Sequence, residues 1–201
     1  LQKLVTERVS KAEATQRTGR AGRVAAGQCY RMWARVEEGS MQAYAPPEIQ
    51  ISDLAPFALE LAMWGTGPED LAFLNAPPSG AWAQAKDLLS QLGALSNGRL
   101  TPHGAALAKL PLHPRLAQML VQAGATAAPL AALLSDRDIL ISRQADLTPA
   151  LKALSDKAST QALTGRVRDM SALKRIKVEV KRLSNLAPAL VKSTALSPAQ
   201  C

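Results

Sequence analysis

Apolar side chains recur at intervals of three or four residues along most of this chain, a pattern that predicts amphipathic α-helices. The first clear stripe predicts a helix from about Asp53 to Gly65, with Pro56 confined to its first turn. A second stripe predicts a helix that Ser79 caps and Gly93 ends. The inward positions of this second helix are Trp82, Ala85, Leu88, Leu89 and Leu92. The periodicity therefore favours a mainly α fold.

Turn-forming residues follow the second helix. Asn97-Gly98 lies between Ala94-Leu95 and Leu100-Thr101 and predicts a tight β-hairpin. Thr101 and Pro102 come next, as the N-cap and first residue of a further helix. The order helix, helix, small hairpin, helix is the outline of a winged-helix domain.

The stretch 111–192 is again predicted to be helical. A short apolar helix spans 125–134, another begins at Thr148, and the last covers about 166–183. Its predicted buried stripe comprises Val167, Met170, Leu173, Ile176, Val180 and Leu183. Its basic positions are Arg166, Arg168, Lys174, Arg175, Lys177, Lys181 and Arg182. A solvated face is the simpler interpretation of these cations, and contact with phosphates is the alternative.

The N-terminal part has a different pattern. Ser10 and Glu13 have the spacing of a capping box, which predicts a helix from Lys11 to about Gly22. Residues 28–33 are then predicted to form a strand, and 37–40 a turn. Gly19 and Gly22 each cost the helix about 1 kcal/mol relative to Ala, and a need for close approach explains both.

The charge balance points to a polyanionic partner. The 201 residues carry a formal net charge of +8, which fits nucleic acid first and a membrane surface second. No apolar run is expected to be long enough to span a bilayer, and no signal pattern opens the chain. Cys29 and Cys201 do not form a disulfide framework, so a cytoplasmic location is expected.

Residues 16–23, Gln-Arg-Thr-Gly-Arg-Ala-Gly-Arg, concentrate the candidate chemistry. Guanidinium groups bind phosphate oxygens in a bidentate manner, and glycines allow close approach. The intervals between Gln16, Arg20 and Arg23 would place all three on one face of a helix. This face is suited to a polyanion.

The octet resembles motif VI of the DEAH/RHA helicases, whose form is Gln-Arg-x-Gly-Arg-Ala-Gly-Arg. In that family, motif VI lies on the second RecA-like domain and faces ATP bound to the first. The resemblance implies that Gln16 positions the γ-phosphate or attacking water, and that Arg20 and Arg23 act as arginine fingers. Arg17 is implied to have a supporting role.

Sequence outside the octet extends the resemblance. Gln28–Trp33, Leu61–Gly65 and Leu92–Leu95 are similar to DEAH/RHA sequence, and the Ala-Leu-rich style is most like the bacterial HrpB-type members. The implied organisation is the end of a RecA-like α/β domain, then a winged-helix domain, then a ratchet-type helical bundle. The corresponding ranges are 1–45, 46–110 and 111–192, with a loose tail at 193–201.

The phosphate loop and the DEAH motif of the family are not in these 201 residues. A helicase needs both to hold ATP and Mg²⁺. We therefore expect a C-terminal fragment of an ATP-dependent RNA helicase, inactive by itself and paired with the first RecA-like domain of the same polypeptide. RNA or single-stranded nucleic acid is the expected partner, and a membrane is not. The alternative is a non-enzymatic basic winged-helix module that binds nucleic acid or protein.

The other candidate residues favour structural roles. His103 and His113 lack a Cys or carboxylate at metal-ligand spacing, so no metal site is predicted. Trp33, Trp64 and Trp82 could stack on bases, but their places in apolar stripes favour core packing.

Overall fold

A computed structural model describes residues 7–136, 146–155 and 170–187. They divide into two compact units, an N-terminal unit that ends at Ser52 and a C-terminal unit that begins at Asp53. Helices are the main regular structure of the described residues, so the predicted mainly α fold is confirmed.

The N-terminal unit contains three helices: α1 (Lys11–Arg20), α2 (Arg35–Ser40) and α3 (Glu48–Ile51). The predicted capping box is present at the start of α1. The Glu13 N–H donates to Ser10 Oγ over 3.2 Å, and the Ser10 N–H donates to Glu13 Oε2 over 2.8 Å. The helix ends two residues before Gly22, because Ala21 is its C-cap.

The start of α1 is also tied to a later part of the chain. The N–H of Lys11 donates to the carbonyl of Gln42 over 2.9 Å, and that of Ala12 to the carbonyl of Ala43 over 3.0 Å. These bonds occupy donors that a helix leaves unpaired in its first turn. They hold residues 42–43 beside the N-terminus of α1.

Two predictions for this unit are wrong. Residues 28–33 form no strand, since no described segment pairs with them; Tyr30 and Met32 are exposed. Residues 37–40 are not a turn but belong to α2. Glu37 and Glu38 lie in its first turn, where acidic side chains suit the helix dipole, and Glu38 also pairs with Arg31.

The C-terminal unit has more regular structure. Its α-helices are α4 (Ala55–Trp64), α5 (Ser79–Gln91), α6 (Pro102–Ala108), α7 (Pro114–Ala123), α8 (Ala128–Ser135), α9 (Thr148–Ser155) and α10 (Met170–Leu186). Short 3₁₀ turns occupy Pro68–Asp70 and Gly124–Ala127. Strands β1 (Leu95–Ser96) and β2 (Arg99–Leu100) lie between α5 and α6.

The predicted hairpin and the helix after it are confirmed. Strands β1 and β2 are antiparallel, with Leu95 opposite Leu100. Asn97 and Gly98 have φ of 51° and 74°, the left-handed conformation that a type I′ turn needs at both central residues. Thr101 caps α6 by accepting the Gly104 N–H over 2.9 Å.

The helix stripes pack into one core within the C-terminal unit. Helix α4 packs on α5 and α6, and α10 packs on α8. The largest fully buried side chains are Leu61, Leu89, Leu107, Pro114, Leu120, Ile176 and Leu183. Of the predicted inward positions that the structure describes, five are buried and four are half-buried: respectively Ala85, Leu89, Leu173, Ile176 and Leu183, and Trp82, Leu88, Leu92 and Val180.

Three details of these helices differ from prediction. Pro78 occupies the N-cap position of α5, so Ser79 is its first helical residue and caps nothing. Met170 is 51% exposed because it faces away from α8, the helix on which α10 packs. Val167, Arg166 and Arg168 lie outside the described residues.

The stretch Pro114–Ser135 corrects the expectation that no run is long enough to span a bilayer. It is 22 residues long, and an 18-residue window within it has a mean hydropathy of 1.3, so it meets the length and composition of a membrane span. Gly124 and a 3₁₀ turn interrupt it, and Leu120 and Ala131 within it are fully buried. These features are those of a core helix.

Candidate motif VI surface

The octet begins on α1 and runs past its end. Gln16 and Arg20 are four residues apart within the helix, so they share one exposed face, whereas Arg17 is exposed on a neighbouring face. Arg23 lies three residues beyond the last residue of α1. The prediction that Gln16, Arg20 and Arg23 share one helical face is therefore wrong for Arg23.

The side of α1 opposite Gln16 and Arg20 faces the interior of the N-terminal unit. Ala14 is buried, with 6% of its surface exposed, and Thr18 is partly buried. The Thr18 hydroxyl donates to the carbonyl of Ala14 over 2.8 Å. Because these two residues face inward, Gln16 and Arg20 project away from the N-terminal unit.

The polar side chains of α1 and of the loop after it differ in whether they already have a hydrogen-bond or ion-pair partner. The Ser10 backbone N–H, the Ser10 hydroxyl and the positive charge of Arg17 all hold the pKa of the Glu13 carboxyl below its usual value. By contrast, no hydrogen bond or ion pair within the described part of this unit engages Gln16, Arg20 or Arg23. These three side chains remain available to an external anion.

Packing within the described residues requires glycine at position 27 but not at positions 19 and 22. A Cβ added to Gly19 or Gly22 would meet nothing within 4 Å, so no described residue makes the predicted close approach. A Cβ on Gly27 would lie 1.9 Å from the carbonyl oxygen of Ala21. The chain therefore folds back over the end of α1 at Gly27, a requirement that no local sequence pattern indicates.

An open cleft lies beside Gln16. It has a volume of about 570 Å³ and is lined by Lys11, Ala12, Thr15, Gln16, Ala43 and Tyr44. Ala43 forms part of its wall and is held beside the start of α1 by the hydrogen bond from the Ala12 N–H. Gln16 thus borders a recess large enough for a small ligand.

The histidines make ordinary polar contacts. His103 Nε2 contacts Gln118 Oε1, and His113 Nε2 lies 3.1 Å from Asp53 Oδ2. Asp53 is sixty residues away from His113, so spacing along the chain could not reveal this partner. Across the described ranges, no three His, Cys, Asp or Glu side chains cluster as metal ligands would.

The tryptophans divide between core and surface. Trp82 packs edge-on against Phe57 with ring centroids 6.1 Å apart, and its predicted core role is confirmed. Trp33 is half-buried. Trp64 is 69% exposed at the C-terminal end of α4, so the prediction that it packs in the core is wrong.

The comparisons with known proteins agree with the octet and the helical unit that follows it. No family model matches the chain. The ATP-dependent RNA helicase HrpB of Escherichia coli K12 is 42% identical over 142 residues, 68% of this chain and 18% of that protein. The human probable ATP-dependent RNA helicase DHX35 is 40% identical over 124 residues, 60% of this chain and 18% of that protein.

Solved structures give the same result. A crystal structure of the E. coli DEAH/RHA helicase HrpB matches all of this chain with a TM-score of 0.70 and 32% identity, over 24% of its own length. A crystal structure of the E. coli DExH-box NTPase HrpB matches 90% of the chain with a TM-score of 0.63 and 36% identity, also over 24% of its length.

The chain therefore belongs to the DEAH/RHA helicase family. Within the family it is HrpB-like, in sequence and in structure. It spans about a fifth of the length of the curated relatives that it matches.

Proposed function

We propose that this chain forms part of an ATP-dependent RNA helicase and supplies motif VI to its ATPase site. The observation that carries the proposal is the exposed face of α1, on which Gln16 and Arg20 stand four residues apart with no described partner. A guanidinium without an internal partner is free to neutralise a phosphoryl group. HrpB and DHX35 are both named as ATP-dependent RNA helicases, which supports this reading.

In the proposed mechanism, Arg20 and Arg23 are arginine fingers. ATP and Mg²⁺ are held mainly by the first RecA-like domain, whose phosphate loop and DEAH motif are not among these residues. Arg20 on α1 and Arg23 on the following loop meet the transferring phosphoryl group from two positions and neutralise its developing charge. Such a finger supplies about 10³–10⁵ in rate.

Gln16 and Arg17 complete the proposed site. Gln16 orients the γ-phosphate or the attacking water, as its amide can both donate and accept hydrogen bonds. Arg17 supports the site indirectly, since it is coupled to Glu13, which caps α1. Gly19 and Gly22 leave open space beside these groups, which would let the first RecA-like domain approach.

The C-terminal unit is proposed to couple this site to RNA. Residues 46–110 correspond to a winged-helix domain, of which 53–110 lie in this unit, and the hairpin at 95–100 is its wing. Residues 111–192 correspond to a ratchet-type bundle. The predicted recognition position, α5, carries only Lys86 as a cation, so duplex readout in a major groove is not part of the proposal.

A chimera tests this function directly. The aligned segment of E. coli HrpB is replaced by this chain, and RNA-stimulated ATP turnover is compared for the parent chimera and its Arg20→Ala and Arg23→Ala variants. Each variant should lose about 10³-fold or more in turnover. Arg35→Ala is the matched control, because Arg35 is also exposed in the N-terminal unit but lies outside the octet.

Two results would contradict the proposal. Normal turnover in the Arg20→Ala chimera would remove Arg20 from the finger role. A coding sequence upstream of Leu1 without Gly-x-Gly-Lys-Ser/Thr and Asp-Glu-x-His motifs would favour the alternative, a non-enzymatic basic module that binds nucleic acid or protein.

A further inference from the structure

Helix α10 carries three lysines along one side, of which Lys174 and Lys181 are exposed and Lys177 is half-buried. At 100° per residue, Lys174, Lys177 and Lys181 fall within an arc of about 60° on one side of the helix. Ile176 and Leu183 are buried on the other side, and Leu173 is buried next to Lys177. The three lysines therefore form one face, here called the lysine stripe.

The cations next to the stripe are already engaged, but the stripe is not. Arg182 is paired with Glu179 at 2.6 Å, and Arg175 lies 3.9 Å from Asp136. Glu179 is the single acidic residue of α10, and it points away from the stripe. Among the residues that the structure describes, no hydrogen bond or ion pair engages the three lysines.

Exposed apolar groups accompany the lysines. Met170 is 51% exposed and Val178 is 70% exposed, and both lie on the same side of α10 as the stripe. A helix face that mixes ammonium groups with exposed apolar side chains can contact both the phosphates and the sugar or base faces of a nucleic acid strand.

The dimensions of the stripe suit a phosphate backbone. Lys174 and Lys181 are separated by about 10 Å along the helix axis. Phosphates of one strand repeat every 3.4 Å along a duplex, and further apart on an extended strand, so the stripe spans two to three of them. Lys177 also lines a cavity of about 590 Å³ together with Lys152 of α9, which places a fourth cation beside the stripe.

We propose that Lys174, Lys177 and Lys181 bind the phosphate backbone of single-stranded RNA without reading its sequence. This inference rests on the proposed function for its choice of RNA as the polyanion. Lysines act as point charges, so their contacts tolerate any base. The contribution of the stripe should therefore appear as salt-dependent affinity.

The test is RNA binding by the 201-residue chain, measured by fluorescence anisotropy with a labelled oligouridine of about 16 nucleotides. The K174Q/K177Q/K181Q variant is compared with K86Q/K109Q/R115Q, which removes three exposed cations of the same unit from other positions. Both variants lower the net charge equally. Thermal melts show whether each retains its fold, which is expected because Gln and Lys have similar helix propensities.

The stripe variant should bind RNA about 10-fold or more weakly near 50 mM salt, and its salt slope should fall by about 2. The control variant should change less on both measures. Equal effects of the two variants would overturn the proposal, as would the absence of RNA binding by the unmodified chain. Stripe-dependent binding to vesicles containing phosphatidylserine, with no dependence for RNA, would also overturn it.

This experiment uses no ATP, so its outcome is separate from that of the chimera. The Arg35→Ala chain, which loses one exposed cation outside both the octet and the stripe, should bind RNA as the unmodified chain does. If the stripe variant binds RNA normally while ATP turnover by the chimera depends on Arg20, only the RNA-binding role of the stripe is contradicted. An ATPase independent of Arg20 alongside an intact stripe effect would remove only the finger role.

Discussion

Gly104→Ala is expected to destabilise the C-terminal unit, because α6 lies directly against the backbone of the hairpin at this position. A Cβ on Gly104 would be 2.2 Å from the carbonyl oxygen of Ala94 and 2.9 Å from Leu100 Cδ1. The carbonyl of Ala94 also accepts the Thr101 N–H over 3.0 Å and the Thr101 hydroxyl over 3.2 Å. The new methyl group can fit only if this junction opens.

The magnitude follows from three terms. Overpacking against a well-packed core costs about 1–3 kcal/mol, and weakening the hydrogen bonds to Ala94 costs about 0.5–1.5 kcal/mol. Replacing a helical glycine returns about 0.5–1 kcal/mol. The net loss is about 0.5–4 kcal/mol, centred near 2 kcal/mol, which for a chain of this length lowers Tm by roughly 1–16 °C.

Urea denaturation followed by circular dichroism measures the effect, with Gly80→Ala as the matched control. Gly80 lies in the first turn of α5, and a Cβ there would meet nothing within 4 Å. The control should therefore be as stable as the unmodified chain or more stable by up to about 1 kcal/mol. A Gly104→Ala variant as stable as Gly80→Ala would refute the packing argument.

Two further predictions concern α1. In the HrpB chimera, Gly19→Ala should stabilise the helix by up to about 1 kcal/mol, because a Cβ there has open space. ATP turnover should fall nonetheless if an external group approaches this face, so undiminished turnover would contradict close approach at Gly19. The pKa of Glu13 should be below its usual value, since Ser10 donates to the carboxylate from its N–H and hydroxyl. A lowered folded-state pKa adds stability above the unfolded-state pKa, and that stability is lost as the pH falls through the folded-state value. An NMR titration of the Glu13 carboxyl checks this, and Ser10→Ala should return the pKa part of the way; an ordinary value in the unmodified chain would contradict the capping geometry.

The features that sequence predicted correctly are those fixed over a few residues. The Ser10–Glu13 capping box, the Asn97-Gly98 turn and the Thr101 cap each depend on hydrogen bonds or backbone conformations within three or four positions. Amphipathic periodicity likewise located the buried sides of α4, α5 and α10. Local rules suffice where local contacts decide the structure.

Two of the wrong predictions, the strand at 28–33 and the core position of Trp64, concern contacts between distant parts of the chain. Residues 28–33 have the composition of a strand, but a strand needs a partner, and no described segment supplies one. Apolar periodicity places Trp64 in the core, but Trp64 is the last residue of α4 and its side chain is exposed. Neither outcome can be predicted from the local sequence pattern alone.

The candidate site shows the same division. The octet was recognisable from its residues, and the spacing of Gln16 and Arg20 placed them correctly on one face. Helix α1 ends at Arg20, which puts Arg23 on a loop. The sequence does not indicate this end point, because Gly19 and Gly22 flank Arg20 and either glycine could end the helix. The fold-back of Gly27 over Ala21 required the structure as well.

Single-turnover ATP hydrolysis by the HrpB chimera tests the central proposal most directly. With Arg20→Ala, the rate of the chemical step should fall by about 10³-fold or more, while ATP affinity changes little, since a finger acts mainly on the transition state. Arg35→Ala should leave both quantities unchanged. An unchanged rate with Arg20→Ala, or a loss confined to ATP affinity, would contradict the role of this octet as one half of an ATPase site.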